Sequence, residues 1–369
     1  MTQETGLSKR YSDLAVYRQC FLEEAWDAAE LTLPFILPRN ATYNQTLPTP
    51  YQGVGARGIN NLTAKLLLTL FPPNSPFFKF QIDDFTLEEL QQQRAPVEEG
   101  LNSMERAVMD EIEGKAMRVP LNECIRHLLI TGNAVLHVEK DNTVRVFHLD
   151  QYVVRRDPQG KVLEIIVKEK MSRELYKEIF KTTPPSETDT SADGNEKELS
   201  LYTSVKRIDK KIKIRQEVND KRIPGTDSEY PLDKNPWLAL RYNAIDGEDY
   251  GRGFVEEYLG DLKTVEGLSK AIIEGTAAAA KVLFLVKPNG TTKMRTISNA
   301  PNLAVRQGNK DDVTVVQVEK FSDFRVARET MEGVERRLAA AFLLNQSVQR
   351  DAERVTAEEI RFLANELET

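Results

Sequence analysis

The order of apolar and polar positions divides the chain into a helical N-terminal part, a β-rich middle and a helical C-terminal part. Leu14, Tyr17, Phe21 and Ala25 fall at i, i+3, i+7 and i+11, the stripe of an amphipathic helix within residues 5–45 that Pro34 and Pro38 end. Residues 59–71 read as a buried helix. Thr86-Leu-Glu-Glu89 is a capping box, and helices are predicted over 101–112 and over 119–131, where Gly132-Asn133 stops the second. Strands are predicted at 77–82 and, around the Asp141-Asn142 turn, at 134–138 and 144–149. The runs 152–156 and 162–168 flank Asp157-Pro-Gln-Gly160 as a hairpin, and 199–205 with 211–218 form another. A short helix is expected at 172–180 and a buried strand at 237–242. Residues 182–198 are rich in Thr, Ser, Pro, Asp and Glu and read as a flexible surface loop.

From residue 253 onward the pattern changes. Residues 253–281 read as one helix spanning roughly 40 Å. It carries Gly253, Gly260, Gly267 and Gly275, although each interior glycine costs a helix about 1 kcal/mol against alanine. Spaced every seven or eight residues, these glycines lie near one face. Such a face belongs either to a Gly-tolerant core helix or to a helix packed closely against copies of itself around an axis. Strands at 282–286 and 313–318 follow, joined by a turn at Lys287-Pro-Asn-Gly290. The segment 282–320 holds six Lys/Arg against three acids, and the apolar strands of this small lobe call for a partner subunit. A charged helix at 322–344 comes next, then a polar loop at 345–355. Thr356-Ala-Glu-Glu359 is a second capping box, whose helix reaches Thr369 with no C-terminal cap. The chain is therefore expected to stop short of its own domain. The fold class expected is α+β, mainly helical.

Composition narrows the function classes. A hydrophobic content of 40% supports real cores, but the longest apolar runs are too short to span a membrane. The first residues lack the basic and apolar regions of a secretory signal. Cys20 and Cys124 read as ordinary reduced thiols. A net charge of −7 argues against a general nucleic-acid coat but not against a protein that surrounds DNA without gripping it. His127, His137 and His148 are thin material for acid–base catalysis.

Three motifs carry candidate chemistry. Gly53, Gly55 and Gly58 have the G-x-G-x-x-G spacing, but Pro48 and Pro50 stand where a strand should precede them, and the acids that follow, Asp83 and Asp84, come after Pro72, Pro73 and Pro76. The motif therefore reads as a tight entry into a buried helix rather than a nucleotide site. Asp246, Glu248 and Asp249 either hold a hard cation or, more commonly for such acids, favour a helix N-terminus. Lys206, Arg207, Lys210, Lys211, Lys213 and Arg215 read as a solvated strand edge.

Several strings together resemble the portal, or head-to-tail connector, family of autographivirus-type short-tailed double-stranded DNA phages. They are Tyr51-Gln-Gly-Val-Gly-Ala-Arg-Gly58, Tyr152-Val-Val-Arg-Arg-Asp157, Asp246-Gly-Glu-Asp-Tyr-Gly-Arg252, Glu256-Glu-Tyr-Leu-Gly-Asp-Leu262 and the run from Leu344 to Ile360. The resemblance covers essentially the whole length. It implies a homo-oligomeric ring of twelve around a double-stranded DNA channel at one capsid vertex, in the virion, assembled in the host cytoplasm. It implies an α/β wing at 1–250, stem helices at 251–281 and 322–344, a clip at 282–321, a tunnel loop at 345–355 and the start of a further wing helix at 356–369. It also implies partners: major capsid protein, scaffolding protein, terminase large subunit, tail adaptor protein and internal core proteins, with no membrane, cofactor or catalysis. Expected site residues are Gln346, Ser347, Gln349, Arg350 and Arg354 of the tunnel loop, where the charges either approach DNA or pair with Asp351 and Glu353. Lys293, Arg295 and Arg306 are expected to bind partners at the clip, and Gly260, Gly267 and Gly275 to pack closely in the stem. The alternative reading is a metal-dependent DNA-processing enzyme built on Asp246, Glu248 and Asp249.

Overall fold

The computed structural model describes residues 6–39, 46–73, 75–82, 94–182, 198–279, 283–288, 292–295, 305, 307, 309–316 and 321–344. The predictions for residues 86–89, 345–355 and 356–369, and nearly all of the 182–198 loop, lie outside these residues.

Helix α1 (Leu7–Glu30) buries Leu7, Tyr11, Phe21, Leu22, Ala25, Ala28 and Ala29. The predicted stripe is therefore right at Phe21 and Ala25, but Tyr17 lies at its margin and is 47% exposed. Arg18 is buried in the same face. Its Nη1 donates to the carbonyls of Leu149, Asp150 and Tyr152 and to the Tyr11 hydroxyl, so the charge that enters the core is answered at this nitrogen, while its buried Nε has no hydrogen-bond partner among the described residues. Helix α2 (Val54–Leu70) is entered through Gln52, whose Oε1 accepts from Gly55 N and whose Nε2 donates to Leu31 O. Helix α3 (Arg94–Gly114) precedes α4 (Arg118–Thr131), which ends at Gly132 with φ 73°.

Strands β1 (Asn133–Val138), β2 (Val144–Phe147) and, later in the chain, β9 (Trp237–Arg241) make a three-stranded antiparallel sheet in the order β2-β1-β9. A larger antiparallel sheet runs β3 (Tyr152–Arg156), β4 (Val162–Met171), β5 (Leu199–Ile208), β6 (Lys211–Val218) and β7 (Lys221–Arg222), with β8 (Ser228–Pro231) also on β6. Helix α5 (Arg173–Phe180) connects β4 to β5, capped by Ser172 Oγ accepting from Leu175 N. One apolar core joins α1, α2 and α4 to the inner faces of both sheets.

Three expectations are corrected here. Residues 77–82 are not a strand. Phe71, Phe77, Phe78 and Phe80 make successive edge contacts at 5.1, 5.3 and 5.4 Å, so the alternating aromatics cluster with one another and pair with no strand among the described residues. The run at 237–242 is an edge strand in which only Trp237 is buried, stacked on His137 at 3.9 Å. The basic cluster is not a sheet edge, since β5 and β6 are interior strands, and Lys211 and Lys213 both pair with Glu229 of β8 at 3.1 Å.

The motif at 246–252 closes the body. Asn133 Oδ1 accepts from Gly251 N at 2.7 Å, and Asn133 Nδ2 donates to Gly251 O at 2.8 Å. The backbones cross so closely that a Cβ on Gly132 would stand 2.4 Å from the Arg252 carbonyl carbon. Gly132→Ala adds both that clash and a strained φ. It should lower stability by more than about 2 kcal/mol. Gly53→Ala meets open space and should change stability by less than about 0.5 kcal/mol. Urea denaturation of the two variants checks the pair.

Candidate functional site

The helix expected as one piece over 253–281 is broken. Gly253 is an extended N-cap rather than a helical residue, because it passes against Ile130 O and Gly132 N where no side chain fits. A short helix α6 (Phe254–Glu257) ends at Tyr258, and α7 (Leu259–Ala279) follows. Strands β10 (Leu283–Val286) and β11 (Val313–Val316) pair antiparallel, and α8 (Phe321–Ala341) returns.

Helices α7 and α8 are antiparallel. Arg337 Nη2 donates to Asp261 Oδ1 at 2.8 Å, Ser269 Oγ lies 3.3 Å from Met331 Sδ, and Gly275 lies against Phe324. Their root is buried: Leu262, Val265, Val334, Leu338 and Phe342 join the main core. Beyond Val265 no described residue of α7 is buried, so the pair projects from the body. Clamps hold the root. Glu266 accepts the backbone N–H groups of Tyr51 and Gln52, and Lys263 pairs with Asp27 at 2.7 Å. At the far end of α8, Asn61 Nδ2 donates to the carbonyls of Phe342 and Leu343, and Lys65 Nζ donates to Leu343 O at 2.8 Å. A Cβ on Gly58 would stand 2.5 Å from Phe342 Cγ, and one on Gly55 2.4 Å from Leu31 O. The G-x-G-x-x-G spacing thus serves helix packing.

The three glycines expected to pack closely divide. Gly275 is filled by Phe324 of its own chain, whereas Gly260 and Gly267 have nothing within 4 Å of a notional Cβ. Gly260, Thr264, Gly267, Ala271 and Ala278 share one exposed face of α7. In the β10–β11 lobe, Thr292 N donates to Asp312 Oδ2, and Asn309 N donates to Thr292 Oγ1. Lys293, Met294 and Arg295, just beyond this anchor, are exposed. Arg306 lies outside the described residues, as do Gln346, Ser347, Gln349, Arg350 and Arg354.

Two of the three acids proposed as metal ligands are engaged by arginine. Asp249 Oδ1 accepts from Arg156 N at 2.5 Å, and Asp249 O from Arg156 Nε. Glu248 binds Arg252, which also reaches Glu24 and Glu256 and lies over the Phe21 ring. Hydrogen bonding to Glu248 is the main cause that holds the Arg252 pKa above its ordinary value. Asp246 is exposed, and no metal-holding group of three or more His, Cys, Asp or Glu occurs among the described residues. Sequence reasoning missed the buried arginine of α1 and the Arg156 bridge, whose Nη2 also donates to Ala239 O. The one available signal was Arg155-Arg156 inside an apolar strand.

A cleft of about 720 Å³ lies between Phe35, Leu67 and Val119 on one side and His127, His148 and Asp150 on the other. No described helix is long and apolar enough to cross a membrane.

This arrangement is a mixed helix–sheet subunit with a projecting helical arm and no assembled catalytic group among its described residues. Residues 4–369 match the model of the bacteriophage head-to-tail connecting protein family. The chain is 37% identical over 380 residues to the portal protein of Enterobacteria phage T3, covering 99% of this chain and 70% of that one. It is 35% identical over 377 residues to the portal protein of Escherichia phage T7, with the same coverage of 99% and 70%. A chain of the solved virion of a native gene transfer agent particle aligns over 66% of this chain and 61% of that one, at 14% identity and a TM-score of 0.35. The chain belongs to the bacteriophage head-to-tail connecting protein family and is a structural connector, not an enzyme.

His127 gives the body a pH dependence. It is 1% exposed, and burial holds its pKa below 6.5 against the opposing pull of Glu123. A depressed folded-state pKa gives stability that is present above pH 6.5 and lost as pH falls through the folded value. Melting temperature should therefore drop below pH 6.5 in the parent, and less so in a His127→Gln variant, in a thermal scan from pH 7.5 to 5.

Proposed function

We propose that the chain assembles into a closed ring, twelve copies in the family's pattern, that conducts double-stranded DNA at one capsid vertex. The observation that supports this best is the open, small-residue face of α7 on an arm that projects from the body. Bare helix faces admit a second helix backbone at close range, and a ring of arms uses that face on every subunit. Residues 1–250 then form the wing, α7 and α8 the stem, the β10–β11 lobe the clip and residues 345–355 the tunnel loop. A net charge of −7 suits a conduit, because each phosphate contact adds salt-dependent affinity that would hold DNA in place. Gly260→Leu with Gly267→Leu should fill the open face, leave the subunit folded by circular dichroism and abolish rings in electron micrographs. Normal rings from this variant would sink the stem assignment.

The clip would face away from the capsid interior and bind the terminase large subunit during packaging, then the tail adaptor. Major capsid, scaffolding and internal core proteins would meet other surfaces. Lys293 and Arg295, exposed beside the Thr292 anchor, support this use of the clip, with Arg306 assigned by sequence position. Gln346, Ser347, Gln349, Arg350 and Arg354 would line the channel as a weak sliding contact that resists backward slippage of DNA. One packaging assay separates the two roles. Charge reversal at Lys293, Arg295 and Arg306 should lower terminase docking while rings persist. Arg350→Glu with Arg354→Glu should leave docking intact and lower the DNA retained in filled heads, most at low salt. Unchanged docking in the first variant removes the clip from the interface. Unchanged retention in the second at every salt concentration removes the arginines from the channel contact.

A further inference from the structure

Helix α3 is the least explained element of the subunit. It is 21 residues long, yet no residue from 95 to 114 is buried, and among the described residues no other helix or strand makes extensive contact with it. It is not a polar spacer. Val97, Leu101, Met104, Val108 and Ile112 recur at i, i+4, i+7, i+11 and i+15 and make a continuous apolar stripe. Met104 is 61% and Val108 40% exposed. Val97, Leu101 and Ile112 are half-buried along the edge that faces the body, where Glu105 and Met109 lie beside Ser75 and Pro76 and Asn142 Nδ2 donates to Glu111 Oε1, so the open part of the stripe is Met104 and Val108. The helix is also acidic. Glu98, Glu99, Glu105, Asp110, Glu111 and Glu113 stand against Arg94 and Arg106, a net charge of 2 − 6 = −4. An apolar stripe with an acidic border is complementary to an apolar groove with cationic edges.

Such a groove lies on the large sheet of the same chain. Leu163, Ile165, Val205, Ile212 and Leu232 line a depression of about 320 Å³. Its charged lining residues are Lys161 and Arg207, and no acidic residue lines it. The segments of this chain at 83–93 and 345–369 make poorer occupants of the α3 stripe. The first holds Asp83, Asp84, Glu88 and Glu89 with no Lys or Arg, and the second holds six acids against three arginines, so both share the sign of α3.

We propose that α3 of one subunit docks its apolar stripe in the groove between Lys161 and Arg207 of the next copy. This rests on the ring reading above. Helix and groove are different surfaces of one chain, so the contact is heterologous, the kind that propagates from copy to copy and closes a ring. Met104 and Val108 enter the depression, and Glu105 and Glu111 border them toward the two cations.

The test uses the full chain, with native mass spectrometry for assembly and circular dichroism for folding. Glu105→Lys with Glu111→Lys, and separately Lys161→Glu with Arg207→Glu, should each raise the concentration needed for rings by roughly tenfold or more at low salt. The fourfold variant carrying both changes should assemble like the parent. In a Cys20→Ser background, Val108→Cys with Leu163→Cys should give a ladder of disulfide-linked oligomers. A parent that stays monomeric overturns the ring reading, and the docking falls with it. Rings that form normally in both charge variants, with no cross-linked ladder, overturn the docking alone. Loss of rings in the α3 variant but not in the groove variant places the helix on another surface and also overturns the proposal.

Discussion

The constraint on which the subunit depends is the crossing of two backbones at Gly132, Gly251 and Gly253. The end of α4 and the start of β1 meet the segment that leads into the arm, and there is no room between them for a single Cβ on Gly132, Gly251 or Gly253. Asn133 turns this proximity into a bond by answering both the N–H and the C=O of Gly251. Buried peptide groups left unpaired here would each cost on the order of 1–3 kcal/mol. The same crossing fixes the direction in which α6 and α7 leave the body.

Arginine does the remaining joining. Arg156 links β3 to Asp249, Gly160 and Ala239, and so ties the large sheet, the small sheet and the loop before the arm. Arg252 gathers Glu24, Glu248 and Glu256 above Phe21 and ties α1 to the start of the arm. Planar guanidinium groups suit both tasks, since one side chain reaches several acceptors in fixed directions. At the other end, Asn61 and Lys65 take the last carbonyls of α8, while Phe342 seats on bare Gly58. The arm therefore meets the body at both of its ends, through α7 on the way out and through α2 on the way back.

Much of this was readable in the amino-acid sequence where local chemistry decides. Gly132 at the end of α4, Gly160 in the β3–β4 turn and Ser172 at the start of α5 stand where their turn and capping preferences put them. The pattern misled where a distant contact decides. Gly253 looked like a helical glycine because nothing nearby reveals that Ile130 lies against it. The phenylalanines at 77, 78 and 80 alternate like a strand but satisfy one another. Arg18 interrupts an apolar face at a place that only the carbonyls of the turn at 149–152 explain. Of the expected site residues, Gly260 and Gly267 stand on an open face, whereas Gly275 lies against Phe324, a pairing that spacing along one helix cannot show.

Two surfaces of the subunit are unsatisfied for opposite reasons. The α7 face carries only glycine, alanine and threonine, so a neighbour would gain close backbone approach and little apolar area. The α3 stripe exposes side chains, so a neighbour gains apolar area at about 25 cal/mol for each Å² covered. A small-residue contact is short-ranged and sets angle and distance, whereas an apolar stripe bordered by charge tolerates small shifts and sets affinity and encounter rate. A closed ring needs both kinds, because the angle between subunits fixes how many close the circle while the affinity decides whether they meet. In the proposed ring, geometry set by the arm and attraction set by a helix outside the core would act separately, so a change at Met104 or Val108 should alter how readily subunits join without altering the number that closes the ring.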